Sequence, residues 1–114
     1  MRGRRSMSWD EYQIEFLPAA DRDLVETARY IARELDSPKA AENLVSSIIE
    51  SIDTIAPMPY ANPIYLPIRP LAHEYRKLLV KNYLVLYWVD EERRTITIAR
   101  VVYARRDPAS HLTA

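Results

Sequence analysis

The sequence predicts a single α+β domain with an N-terminal strand, an α-helical hairpin and a three-stranded antiparallel meander, in the order β-α-α-β-β-β. Two patterns predict this fold. Apolar residues recur at helical spacing in the first half of the chain, and they alternate at strand spacing in the last third. A proline-rich stretch separates the two regions, and the 114 residues are enough to bury one core.

The first three elements are a short strand and two helices. Residues 12–16 alternate apolar and polar side chains, which indicates a strand. Apolar stripes at spacings of three and four predict helices over residues 19–35 and 38–56. Between them, Ser37 is a good N-cap and Pro38 a good first helical residue, so the short joint predicts an antiparallel hairpin.

The second half of the chain is expected to form the rest of the sheet. Five prolines within residues 57–70 exclude a helix or a central strand there, so this segment is expected to be an extended connector. Beyond it, residues 75–80 and 83–89 predict a hairpin with a two-residue turn, and residues 95–103 predict the last strand.

The last two strands carry specific expectations about burial. Ile98, Arg100 and Val102 are predicted to share one face of the last strand, which favours partial burial of Arg100 and pairing with an acidic residue of a helix. The apolar stretch 84–89 is longer than one small sheet face can cover. It therefore predicts a free edge or groove that a partner would cover.

Composition excludes several classes of function. The chain has no cysteine, so disulfides and thiolate metal sites are excluded, and neither histidine has carboxylates at metal-ligand spacing. The single glycine rules out a glycine-rich phosphate loop, and no apolar run approaches the ~20 residues of a membrane span. We expect a cytoplasmic protein without a cofactor, a metal or a membrane partner. Residues 1–6 are expected to be a flexible arm on a domain of residues 7–114.

The formal net charge of zero conceals an asymmetry between the two halves of the chain. Residues 1–60 carry 7 Lys and Arg against 11 Asp and Glu, whereas residues 61–114 carry 9 against 5. An anionic partner would therefore meet the C-terminal half.

Three motifs carry a resemblance to a known family. Residues 20–24 (ADRDL) open the first helix, residues 75–87 (YRKLLVKNYLVLY) form the predicted hairpin, and residues 98–107 (IARVVYARRD) include the last strand. In this order and at this spacing they resemble the toxins of the RelE/ParE superfamily, over about residues 12–107.

The resemblance implies the toxin component of a type II toxin–antitoxin system, which arrests bacterial growth and is neutralised by a cognate antitoxin. Members of the superfamily differ in target. ParE-like toxins inhibit DNA gyrase by binding, and RelE-like toxins are metal-independent endoribonucleases that cleave mRNA on the ribosome. We expect the gyrase target, with the ribonuclease and an inactive orphan toxin as alternatives.

The resemblance also implies candidate site residues. If the protein is a ribonuclease, its catalytic residues would be Arg76, Arg105 and His111. However, Leu78 and Leu84 stand where RelE-like toxins carry a lysine and an arginine, and this departure favours the gyrase target. The residues expected to bind the target or the antitoxin are Lys77, Lys81, Arg105 and Arg106.

Overall fold

The computed structural model describes residues 11–66, 71–105 and 112. The elements are β1 (Gln13–Phe16), α1 (Pro18–Glu34), α2 (Pro38–Asp53), β2 (Arg76–Val80), β3 (Tyr83–Asp90) and β4 (Thr95–Tyr103). The predicted order of elements and the α+β class are confirmed. The expected arm of residues 1–6 lies outside the described residues. Among the residues that are described, no helix is long and apolar enough to cross a membrane.

The helical hairpin begins and turns where the sequence predicts. Pro18 is the first residue of α1, a position at which its missing N–H leaves no hydrogen bond unmade. The predicted cap of α2 is confirmed, because the Ser37 Oγ accepts a hydrogen bond from the N–H of Ala40 at 3.1 Å. Asp36 reverses the chain between the helices with a φ of 50°, a left-handed conformation that Asp tolerates better than most residues.

Helix α2 ends at Asp53, earlier than the predicted end at residue 56. The Thr54 hydroxyl donates to the Ser51 carbonyl at 2.6 Å, and Pro57 disfavours helical geometry in the residue before it. Ile55 is nevertheless fully buried. The apolar stripe therefore continues into the turn that follows the helix, which is why the periodicity predicted a longer helix.

The four strands form one sheet in the order β1-β4-β3-β2. Strand β1 runs parallel to β4, with Ile14 opposite Ile96, and the other two pairings are antiparallel. Because β3 is an interior strand, the first alternative for residues 84–89, a free edge, is wrong, whereas the second, a groove, is not contradicted. Val85 and Leu86 in this stretch have no exposed surface.

A β-bulge at Ala99 resets the alternation of side chains in β4. Consecutive residues of β3 pair with Arg100 and with Ile98, which leaves Ala99 without its own position in the register. As a result Val101, and not Val102, joins Ile98 in the hydrophobic core. The prediction that Ile98, Arg100 and Val102 share one face is therefore wrong, because the bulge moves the last two to the other face.

The core lies between the helices and one face of the sheet. Ile48 and Ile52 of α2 belong to the same buried cluster as Val85, Tyr87 and Ile98. Burying a side chain of this size stabilises the fold by about 1.5–3 kcal/mol. These contacts fix the hairpin on the sheet and thereby position the surfaces described below.

The connector between α2 and β2 is more ordered than a simple extended linker. Residues 54–62 form turns, after which Ile64 makes an antiparallel bridge to Arg76. The N–H of Tyr65 donates to the carbonyl of Tyr75 at 2.8 Å. Residues 57–66, hereafter the proline-rich loop, therefore cover the beginning of the outer edge of β2.

Candidate partner-binding sites

Asp23 joins the first half of α1 to the edge of β4. Its Oδ2 accepts hydrogen bonds from the Arg100 Nε at 2.7 Å and from the backbone N–H of Val101 at 2.8 Å, and its Oδ1 accepts from the Arg100 Nη2 at 2.8 Å. Strand β1 pairs only with residues 95–98 of β4, so this carboxylate caps the edge beyond β1. The predicted acidic helix partner for Arg100 is confirmed.

This ion pair is largely shielded from solvent. The side chains of Arg100 and Asp23 keep 24% and 9% of their surface exposed. Hydrogen bonding to Asp23 raises the pKa of Arg100 despite the opposing effect of burial, and the nearby charge of Glu26 raises it further. Removing one partner of such a pair is strongly destabilising, because the other charge is left shielded without its counterion. The pair therefore fixes α1 against β4.

A groove of about 820 Å³ lies beside the ion pair, between α1 and the end of β4. Its apolar and aromatic walls combine with charges of both signs, a composition that suits a peptide segment. We call it the α1–β4 groove, and the residues on which the later reasoning depends are Asp23, Glu26, Tyr30, Ile31, Tyr103 and Arg105.

Two of the predicted basic binding residues lie at the same end of the sheet. Lys81 occupies the β2–β3 turn with a φ of 55°, and the N–H of Ala104 donates to the carbonyl of Asn82 at 2.8 Å. The chain that follows β4 therefore lies beside that turn, and exposed Arg105 comes next along it. Lys77, the second residue of β2, lies away from this turn and is partly buried.

Arg76 begins β2, at the end of that strand away from the β2–β3 turn, and is engaged by the proline-rich loop. Its Nη1 donates to the carbonyls of Asn62 at 2.7 Å and Tyr60 at 3.4 Å, and its guanidinium carbon lies 4.9 Å from the centroid of the Tyr60 ring. Its Nη2 is 3.8 Å from the Glu74 carboxylate. Only 14% of the Arg76 side chain is exposed. Arg76 therefore holds the loop on the sheet.

The two predicted catalytic arginines do not converge. Arg76 pairs with Tyr87 of β3, whereas Tyr103, which precedes Arg105 by two residues, pairs with Tyr83. At ~3.3 Å per residue, the distance along β3 between these two pairs is roughly 13 Å. The remaining predicted residues, Arg106 and His111, lie outside the part of the chain that the structure describes, and their roles stay predictions.

The structure brings together a carboxylate and two phenols that no sequence pattern indicated. Glu91, in the β3–β4 loop, accepts hydrogen bonds from the hydroxyl of Tyr12 at 2.7 Å and from the hydroxyl of Tyr60. The bonds from Tyr60 and Tyr12 lower the pKa of Glu91, and the bond to Glu91 raises the pKa of Tyr60 to about 12. The three residues come from distant segments, so only the folded chain reveals the cluster.

His73, just before β2, forms an aromatic stack. Its ring centroid lies 3.7 Å from that of Trp88, with the two planes inclined by 2°. Tyr75 meets both rings edge-on at 5.8 Å. A small cleft of about 120 Å³ separates this stack from Arg76.

Comparison with known families identifies the chain. A family model described as "ParE toxin of type II toxin-antitoxin system, parDE" matches residues 14–108. The chain belongs to this family. The match extends from β1 past the end of β4, so this ParE toxin carries the α1–β4 groove inside the family region. Within the described ranges, no group of three or more His, Cys, Asp or Glu side chains could hold a metal ion.

Solved structures share the fold of this ParE-family toxin. The chromosomal ParDE system of P. aeruginosa aligns with a TM-score of 0.69 and 16% identity, over 84% of this chain and 99% of that chain. The RelBE2 complex of Mycobacterium tuberculosis gives a TM-score of 0.58 and 21% identity, over 84% and 94%. The archaeal RelE–RelB complex of Pyrococcus horikoshii gives 0.56 and 15%, over 85% and 99%. No curated protein matches the sequence significantly.

Proposed function

We propose that this toxin arrests bacterial growth by binding DNA gyrase, and that a cognate antitoxin neutralises it by occupying the α1–β4 groove. The observation that carries the choice of target is that Arg76 is already bound by the proline-rich loop, roughly 13 Å along β3 from the end of the sheet that leads to Arg105. An inhibitor that acts by binding needs only a complementary surface. A ribonuclease needs acid–base and phosphate-binding groups that meet at one reacting centre.

The requirements of RNA cleavage make this separation important. A 2′-hydroxyl must lose its proton, the charge of the phosphorane must be stabilised, and the leaving oxygen must gain a proton. Arg76 already donates to the carbonyls of Asn62 and Tyr60, and its side chain is mostly covered. A phosphate would have to displace these bonds before Arg76 could assist catalysis.

Two apolar residues add support for the gyrase target. Leu78 and Leu84 stand at positions where the resemblance implies basic residues in RelE-like ribonucleases. Leu78 packs against the core, and Leu84 pairs with Val102 between β3 and β4. Since one preorganised transition-state donor is worth about 10²–10³ in rate, the replacement of two basic groups would leave little catalysis.

The α1–β4 groove has the properties expected of an antitoxin site. An otherwise disordered segment can fold onto such a groove and bury its apolar side chains there. Tyr30 and Ile31 offer apolar contact, whereas Arg105 and nearby Lys81 would attract acidic residues of that segment. We expect the toxin to meet both partners in the cytoplasm as a single domain.

The target is tested with purified toxin and gyrase. We expect the toxin to reduce DNA supercoiling by gyrase, and its production in cells to induce the SOS response before protein synthesis declines. Early loss of translation with new mRNA 5′ ends would instead establish the ribonuclease, and normal growth at verified toxin levels would contradict toxicity itself.

The antitoxin site is tested separately with Tyr30→Glu. This substitution places a charge on the half-exposed wall of the groove, at a position with little role in the core. We expect the variant to inhibit gyrase normally and to escape neutralisation. A variant that the antitoxin still neutralises fully would show that the groove is not its site.

A further inference from the structure

The proline-rich loop displays large apolar side chains to solvent. Met58 and Leu66 are 63% and 82% exposed, and Tyr60 is about half exposed. Met58 and Tyr60 share a tight turn, in which the N–H of Ala61 donates to the Met58 carbonyl at 3.2 Å. Leu66 follows Tyr65, whose N–H donates to the carbonyl of Tyr75, the residue before β2. Exposed apolar residues grouped on one segment are typical of an interaction surface.

The same loop is held firmly in place by its polar contacts. The hydroxyl of fully buried Tyr87 donates to the Pro59 carbonyl at 3.0 Å and accepts from the Asn62 Nδ2 at 3.2 Å. Arg76 donates to the Asn62 carbonyl, and Tyr60 is bonded to Glu91. A loop that is ordered before binding loses little conformational entropy when a partner docks, so its apolar groups can contribute fully to affinity.

The charges around the loop are mainly negative. Glu74 lines the cleft beside Tyr60, and Glu91 and Glu92 are exposed in the β3–β4 loop, where Glu91 accepts the hydrogen bond from Tyr60. The arginines close by are already engaged. Arg76 is mostly covered, Arg93 pairs with Glu15 at 3.1 Å, and the Arg94 guanidinium lies 4.1 Å from the centroid of the Tyr12 ring. Acidic residues nevertheless outnumber arginines in this region, so the surface should favour lysine and arginine side chains over phosphate backbones.

We propose that the toxin binds its target protein through a surface that combines exposed apolar side chains with neighbouring carboxylates. The apolar residues are Met58, Tyr60 and Leu66, and the acidic residues are Glu74 and Glu92. The inference rests on the proposed function, in which a toxin of this kind acts by binding a protein. The complementary surface on the target has an apolar centre and a rim of lysine and arginine side chains. This target face is separate from the α1–β4 groove, since none of its five residues lines that groove.

The apolar part of the target face is tested with Met58→Ser combined with Leu66→Ser. Both side chains are exposed, so the variant should fold normally. The matched control is Leu79→Ser on β2, whose side chain is 63% exposed like that of Met58. We expect the double variant to bind purified gyrase about tenfold or more weakly and to arrest growth poorly, because exposed apolar anchors dominate protein interfaces. Its affinity for the antitoxin, and the behaviour of the control, should be unchanged.

The acidic part is tested with Glu92→Lys against Glu50→Lys, which makes the same change of charge at an exposed site on α2. We expect only Glu92→Lys to weaken growth arrest and gyrase binding, most clearly at low salt. If Glu92→Lys instead strengthens growth arrest and adds RNA binding, the occupant is a nucleic acid and the proposal is wrong.

The outcomes separate this inference from the gyrase proposal. If wild-type toxin inhibits gyrase and the Met58→Ser, Leu66→Ser variant inhibits it equally well, the target face is wrong and the gyrase target stands. If wild-type toxin does not bind gyrase, yet the double variant loses growth arrest and keeps antitoxin binding, the gyrase target is wrong and the target face stands.

Discussion

Removing the carboxylate of Asp23 should destabilise the toxin strongly. In Asp23→Ala, two N–H groups of Arg100 and the N–H of Val101 lose their acceptor. Breaking a buried ion pair in this way costs roughly 3–5 kcal/mol. Because Arg100 keeps 24% of its side chain exposed, water can replace some of the bonds, and we expect about 3 kcal/mol.

The measurement is urea unfolding followed by circular dichroism. A loss of about 3 kcal/mol corresponds to a fall of about 12 °C in Tm for a domain of this size. Glu50→Ala is the matched control, since it removes an exposed carboxylate on α2 and should cost about 0.5 kcal/mol or less. Asp23→Leu combined with Arg100→Met should be more stable than Asp23→Ala, because no charge is left shielded without a partner.

Two results would refute this reasoning. In the first, Asp23→Ala unfolds at the same urea concentration as Glu50→Ala. In the second, the double replacement is no more stable than Asp23→Ala. The positive charge of Arg100, left without the Asp23 carboxylate, would then not account for the lower free energy of unfolding. The first result would show that the ion pair does not fix α1 against β4, and the second would show that the uncompensated charge is not the cause of the instability.

Three further predictions concern the loops and the tail. Because bonds from Tyr60 and Tyr12 lower the pKa of Glu91 below 4.5, its contribution to stability is present above that pH and is lost as pH falls through the lowered pKa. Glu91→Gln should therefore reduce the dependence of the urea midpoint on acid pH and return the ultraviolet titration of Tyr60 from about 12 toward 10.0, and unchanged curves would contradict the cluster. Lys81→Gly should raise the free energy of unfolding by about 0.5–1 kcal/mol, because it relieves a left-handed backbone, and a lower urea midpoint would contradict this. Arg105→Glu should leave Tm nearly unchanged and weaken antitoxin binding measured by calorimetry, whereas unchanged affinity would remove Arg105 from the proposed site.

The order of elements was predictable because it depends on local patterns. Ser37 and Pro38 start α2 through contacts within one turn, and the alternation in β3 places Tyr83 and Tyr87 in the core. An acidic helix partner for Arg100 was also predictable, since a partly buried arginine in a strand needs one. The identity of that partner as Asp23 was not, because it depends on the position of α1 along β4.

Other features could not be predicted because they depend on contacts between distant segments. The bulge at Ala99 interrupts a strand whose residues alternate without any glycine or proline to mark the irregularity. Glu91 lies in a loop whose run of charged residues predicts only exposure to solvent. The contacts with Tyr12 and Tyr60 arise only when the chain is folded. Arg76 lies in a motif that resembles a phosphate-binding position, yet here its side chain holds the proline-rich loop.

The parallel pairing of β1 with β4 has a consequence for how the toxin folds during its synthesis. Strand β4 is synthesised after the other five elements, yet it lies inside the sheet between β1 and β3. Until the ribosome has released this strand, β1 has no neighbour, Asp23 has no arginine to bind, and the α1–β4 groove has only one wall. Long-range pairing of this kind also folds slowly. The fold on which both proposed binding surfaces depend is therefore completed only after β4 has left the ribosome.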